Sequence, residues 1–182
     1  MPETSEGQDL DALGICRSCR SSEEKMHIDW DVRERELRAI LDKAKAEAGD
    51  NYDCILPISG GKDSVFQMHV LCKVYGMKPL AVTFNHNWFS KTGFYNLVNA
   101  LDAFDVDHIM FTPNRGLVNR LSKRSLEMMG DTCWHCHTGC GSFPLQVATR
   151  FNIPLLIYGE PAPRTTPRGL ISSPFSTTAN IS

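Results

Sequence analysis

Six residues limit this chain more than any others: Ser59-Gly60-Gly61-Lys62-Asp63-Ser64. The apolar run from Asp53 to Ile58 before them reads as a short buried strand. After them, Val65, Met68, Leu71 and Cys72 recur at helical spacing, and Gly76 is a natural stop. A strand that turns through two glycines into a helix lets the backbone approach an anion closely. The unpaired N–H groups and the dipole of the helix N-terminus then face that anion. Ser59 and Ser64 add hydroxyl donors and Lys62 adds a point charge. Asp63 fits beside phosphates when Mg2+ lies between them.

The rest of the chain repeats the alternation. Residues 31–48 form an amphipathic helix with Leu37, Ile40, Leu41, Ala44 and Ala48 on one face, with Asp29 or Asp31 as cap and Gly49 as stop. Pro79–Phe84, Asp107–Phe111 and Ile153–Tyr158 read as strands. Residues 64–75, 93–104, 115–129 and 134–151 read as helices, the last broken or kinked near Gly139, Gly141 and Pro144. Strands alternating with helices predict right-handed crossovers and an α/β fold, a doubly wound parallel sheet covered on both faces.

Three segments are expected: a turn-rich N-terminal piece with a Cys-x-x-Cys pair (1–28), a nucleotide-binding domain (29–160) and a disordered tail (161–182). The tail contains Pro161, Pro163, Pro167 and Pro174 and lacks usable periodicity.

The loop is neither of two familiar phosphate loops. A Walker A loop has Ser or Thr after Gly-Lys, whereas Asp63 follows Lys62 here. Adjacent glycines also fail the Gly-x-Gly-x-x-Gly dinucleotide fingerprint. The segment resembles the Ser-Gly-Gly-x-Asp-Ser signature of the PP-loop ATP pyrophosphatases, the adenine nucleotide alpha hydrolase-like group. The resemblance implies ATP at Ser59, Gly60, Gly61, Lys62, Asp63 and Ser64, with adenine near Thr83 and Phe84 at the end of the second strand.

Tyr52-Asp53-Cys54-Ile55, Leu80-Ala81-Val82-Thr83-Phe84 with Trp88 after it, Asp107 to Pro113, Gly130 to His137 and Ile153 to Glu160 narrow the likeness to the N-acetyl sugar amidotransferases of surface-polysaccharide (lipopolysaccharide, O-antigen) biosynthesis. That likeness implies adenylation of an acetamido oxygen and attack by ammonia to give an acetamidino sugar. Lys62 and Asp63 would be catalytic groups, with ATP and Mg2+ as cofactors. Glu160 follows the fourth strand at the same sheet edge, where it is a third catalytic candidate, to orient ammonia or hold Mg2+, or is simply exposed. The partners would be a free or nucleotide-linked N-acetyl sugar and a glutaminase subunit that supplies ammonia. Members of that family continue in order past Glu160. The likeness therefore implies a truncated chain whose fourth strand lacks its outer neighbour.

Seven cysteines in a chain without a secretion signal point to metal or redox chemistry rather than disulfides. Cys16, Cys19, Cys133 and Cys136 have the ligand types of one tetrahedral zinc site. An iron–sulfur cluster on Cys133, Cys136 and Cys140 is the metal alternative. Cys54 and Cys72 are expected in the core. His86 and Asn87 are expected in a solvated loop, and His135 and His137 on the surface.

The 19 basic and 21 acidic residues leave a net charge of −2, so nucleic acid is not the expected partner. No stretch is long enough to span a membrane, and the cytoplasm is the expected location. Two other readings share these features: a PP-loop tRNA thiolase, and a non-catalytic ATP- or zinc-binding remnant.

Overall fold

The computed structural model describes residues 10–159 together with the backbone of the strand Thr178–Asn180. The chain divides into two compact units, Met1–Ala39 and Ile40–Ser182.

In the first unit α1 spans Arg17–Met26 and α2 begins at Trp30, continuing to Ala48 in the second. A helix at Arg17–Met26 corrects the expected turn. Because α1 buries no residue, no apolar stripe marks it in the sequence. The start of α2 is capped by Asp29, whose carboxylate accepts from the Val32 amide at 3.0 Å.

The second unit carries a five-stranded parallel sheet in the order β3-β2-β1-β4-β5. Its strands are β1 (Cys54–Pro57), β2 (Pro79–Phe84), β3 (His108–Phe111), β4 (Leu156–Tyr158) and β5 (Thr178–Asn180). The connecting helices are α3 (Lys62–His69), α4 (Lys91–Phe104), α5 (Arg115–Met129) and α6 (Trp134–Phe151). The chain runs outward from β1 to β2 to β3, then returns across both to β4. With right-handed crossovers that reversal puts α3 and α4 on one face and α6 on the other. The doubly wound fold expected from the alternation is the fold observed.

α6 buries Val147 and Ala148 against Ile55, Leu80, Val82 and Leu156. Each such fully buried aliphatic side chain contributes roughly 1.5–3 kcal/mol. At the sheet's N-terminal end, the Asp53 carboxylate accepts from the Lys78 amide at 2.8 Å and the Asp53 amide donates to the Lys78 carbonyl at 3.0 Å. This pairing sets the register of β1 against β2.

Two helices depart from expectation. α3 passes into a π-helical turn over Val70–Val74, closed by the Tyr75 amide on the Val70 carbonyl at 3.0 Å. α6 continues through Gly139, Gly141 and Pro144 as one helix, so of the break or kink expected there the break is absent.

β4 is not an edge. Leu156, Ile157 and Tyr158 pair with Thr178, Ala179 and Asn180, which corrects the expectation that its outer neighbour is missing. The remainder of 161–182, with the disorder expected there, lies outside the described residues. Among the described residues no helix is long and apolar enough to cross a membrane.

Candidate functional site

The loop 59–64 leaves the C-terminal end of β1, beside the point where the chain reverses from β1–β2–β3 to β4. In an open α/β sheet the crevice at such a reversal is where ligands bind. Within the loop, the Ser64 hydroxyl donates to the Gly61 carbonyl at 3.0 Å and lies 3.5 Å from the Ser59 hydroxyl. The Gly61 amide reaches the Ser59 hydroxyl only at 3.4 Å. The first N–H groups of α3 have no intrahelical acceptor, because no turn of helix precedes them.

The two glycines have different duties. Gly60 has φ +75°, and a Cβ there would lie 2.6 Å from the Leu97 amide nitrogen and 3.0 Å from the Gly93 carbonyl oxygen. Its lack of a side chain lets α4 sit against the loop. Gly61 has φ −76°, and a Cβ there would meet only the Ser59 hydroxyl at 3.3 Å. At this position any L-residue is conformationally allowed, so bareness at Gly61 serves the space above the loop. Lys62 and Asp63 project into solvent at 92% and 81% side-chain exposure, 3.5 Å from one another.

Thr83 is buried, and its hydroxyl donates to the Ile58 carbonyl at 2.6 Å. That hydroxyl is thus spent inside the sheet and does not face the crevice as a donor. Phe84 packs on Phe111 at 5.9 Å and on Phe143 at 6.5 Å. A Cβ at Gly139 would lie 2.3–2.5 Å from the Phe84 ring, so α6 needs its glycine to close over β2. At the end of β4, Gln67 of α3 occupies the space that a side chain at Gly159 would fill. Glu160 lies outside the described residues.

The segment after β2 is more ordered than a solvated loop. The Asn85 amide group donates to Thr112 at 3.1 Å and that of Asn87 to the Pro113 carbonyl at 2.9 Å. His86 stacks on Phe89 at 4.7 Å and 19°. Burial, together with the neighbouring His135, holds His86 below its ordinary value. His135 is buried at 5% exposure, which corrects its expected place on the surface, whereas His137 is exposed. Trp88 meets His135 edge-on at 4.8 Å and 88°. Periodicity could not reveal this contact, because it joins a loop to a helix start in a different crossover.

The cysteines of the expected zinc site are divided between the two units, two in each. Cys16 and Cys19 stand 3.5 Å apart at the start of α1 in the first unit, while Cys133 and Cys136 open α6 in the second. Among the described residues no three His, Cys, Asp or Glu side chains are grouped to hold a metal ion, so the Cys133, Cys136 and Cys140 cluster site is not formed. Desolvation and the neighbouring Cys136 push the Cys140 thiol up to about 12. Cys54 is buried as expected, and Cys72 is half-buried.

A cavity of about 580 Å³ opens at the opposite end of the sheet, lined by Tyr52, Cys72, Lys73, Phe104 and Asp107 among others. It lies at the N-terminal ends of the strands, where helices end rather than begin. No helix begins among its lining residues, so no helix N-terminus offers it an anion site.

No protein-family profile matches the chain. It is 32% identical over 93 residues to an uncharacterized protein of Methanocaldococcus jannaschii, across 51% of this chain and 33% of that protein. Among solved structures it resembles NMN synthetase from Francisella tularensis, with a TM-score of 0.51 and 14% identity over 70% of this chain and 53% of that one. It also resembles an NH3-dependent NAD synthetase from Campylobacter jejuni, with a TM-score of 0.49 and 13% identity over 71% and 56%. The chain thus spans a third of the curated relative and about half of each solved structure. At this identity the first structural likeness establishes the fold.

Proposed function

We propose that this chain is the ATP-binding part of an ATP-dependent amidotransferase that acts on an N-acetylated sugar. One observation carries the ATP-binding part of the reading: an uncapped helix N-terminus with two serine hydroxyls and a bare Gly61 stands at the C-terminal end of the central strand, beside the reversal of the sheet; the acceptor comes from the likeness of the sequence to the N-acetyl sugar amidotransferases. The solved structure that shares this fold is named an NMN synthetase.

On this reading the N–H groups of residues 60–64 and the hydroxyls of Ser59 and Ser64 hold the β- and γ-phosphates of Mg-ATP. Asp63 would hold the Mg2+, which would neutralise phosphate charge, and Lys62 would add a positive charge beside the phosphates. The α-phosphorus is left open to the acceptor. The acetamido oxygen attacks it, an O–P bond forms, and pyrophosphate leaves. Ammonia then adds to the activated carbon. AMP departs with the former carbonyl oxygen, and loss of a proton from nitrogen leaves the amidine. An amide carbonyl is a poor electrophile, so the adenylate supplies the leaving group that the second step requires. A glutaminase partner supplying the ammonia and a cytoplasmic location complete the proposal.

The test is AMP release from Mg-ATP with ammonium chloride, in the presence and absence of UDP-N-acetyl sugars. AMP formation that depends on both the sugar and ammonia supports the reading. AMP formation indifferent to both refutes the amidotransferase assignment.

A further inference from the structure

Cys16 and Cys19 are held against each other by a turn on one side and a helix on the other. Leu10 and Cys16 pair as a short antiparallel bridge, and the Asp11 carboxylate accepts from the Leu13 and Ile15 amides, each at 2.9 Å. Arg20, next to Cys19, donates to the carbonyl of Ile15, next to Cys16, at 2.7 Å and pairs with Asp11 at 3.2 Å. The Arg20 amide closes the first turn of α1 on the Cys16 carbonyl at 3.1 Å. Both flanks of the pair are thus tied to one another, and the two sulfurs stand 3.5 Å apart.

The geometry suits a covalent bond between them. Cys16 is the N-cap of α1 and Cys19 its third residue. Residues so spaced on a helix have Cα atoms about 5 Å apart, inside the range of roughly 4.4–6.8 Å that a disulfide spans. The sulfurs need to close only from 3.5 Å to about 2.0 Å, which side-chain rotation supplies without movement of the backbone. Cys19 is exposed and Cys16 half-buried, so an entering reagent reaches the pair. α1 buries no residue, so no packed core opposes a small adjustment of its first turn. Cys54, by contrast, is buried within β1, and desolvation pushes its thiol up.

We propose that Cys16 and Cys19 form a thiol–disulfide exchange site, a redox-active dithiol whose substrate is a small disulfide from solution. One cysteine thiolate attacks a sulfur of the entering disulfide, an S–S bond to the protein forms, and a first thiol leaves. The thiolate of the other cysteine then attacks the protein sulfur of this mixed disulfide. The Cys16–Cys19 bond closes and a second thiol leaves. Two electrons pass from the protein to the entering disulfide, and the two cysteine protons end on the two departing thiols. The site lies within the first unit and stands independently of the ATP loop and of the sugar acceptor.

The test uses the whole chain, reduced, freed of reductant and equilibrated with glutathione disulfide as the probe. The reaction is quenched in acid, and the chain is unfolded, alkylated and cleaved at glutamate, which leaves Cys16 and Cys19 in one peptide for mass spectrometry. Alkylation of both cysteines should be lost together, in a peptide two hydrogens lighter, and should return on addition of reduced glutathione. Cys16→Ser and Cys19→Ser should each stop at the mixed disulfide, with glutathione retained on the remaining cysteine. Half-conversion of the urea-unfolded chain should need about tenfold more glutathione disulfide, because the folded turn holds the sulfurs together beforehand. Equal half-conversion of the folded and unfolded chains overturns the site. So does a wild type that stops at the mixed disulfide or keeps both thiols in excess glutathione disulfide. A purified chain whose two thiols resist the probe until a chelator removes zinc overturns it as well.

Discussion

His108 Nε2 and Thr83 Oγ1 lie 2.9 Å apart across β3 and β2, and a third group settles which of them donates. The one proton of Thr83 goes to the Ile58 carbonyl at 2.6 Å, so Oγ1 accepts and His108 carries its proton on Nε2. Burial holds His108 below its ordinary value of 6.5. The unfolded chain therefore takes up the second imidazole proton, the one that adds at Nδ1, at a higher pH than the folded one does. The stabilising contribution is full above the unfolded value and is lost as pH falls below it. The melting temperature should drop between about pH 7.5 and pH 5.5, and His108→Gln, which keeps a donor but cannot titrate, should make the drop shallower. An identical pH profile in the variant would contradict this.

Tyr158, at the end of β4, repairs a defect in α6. Pro144 has no N–H for the Cys140 carbonyl one turn earlier. The Tyr158 hydroxyl supplies the donor, at 3.3 Å from the Cys140 oxygen and 2.9 Å from that of Gly141. Desolvation and Cys140 push the phenol up to about 12, so it keeps its proton at neutral pH. Tyr158→Phe should cost about 1–2 kcal/mol in urea denaturation. Pro144→Ala in that background should return part of the loss, because it restores a backbone donor. An unchanged denaturation midpoint in Tyr158→Phe would show that the carbonyls find another donor.

Closure of α6 over the site depends on Gly139. An added methyl would fall 2.3–2.5 Å from the Phe84 ring, which Phe111 and Phe143 hold in place. Gly139→Ala should destabilise the chain by about 1–3 kcal/mol. Phe84→Leu should lose less in the Gly139→Ala background than in the wild type, giving a favourable coupling between neighbours. Strict additivity of the two changes would place the helix farther from β2 than the structure has it.

Much of this architecture was legible in the residues because it rests on short-range patterns. The apolar run before Ser59 and the helical spacing after Ser64 located the strand-to-helix loop between them, and the alternation of elements specified the parallel sheet. Other features had no local signature. α1 buries nothing, so no stripe betrayed it. The buried state of His135 depends on Trp88, 47 positions earlier and in another crossover. The cysteine spacing was compatible with zinc, but spacing within each pair carries no information about whether two pairs meet. Pairing of β4 with Thr178–Asn180 has no local signature either, because three residues without apolar alternation do not read as a strand.

The central claim is that the loop over Gly61 holds the phosphates of ATP, and calorimetric titration with Mg-ATP of the wild type and Gly61→Val tests it most directly. Gly61 has an ordinary φ of −76°, and the new Cβ meets only the Ser59 hydroxyl, so the variant should fold with a melting temperature close to that of the wild type. Its side chain fills the space that the phosphates need. The account predicts saturable Mg-ATP binding by the wild type and none by the folded variant. Equal affinities in the two proteins would contradict it.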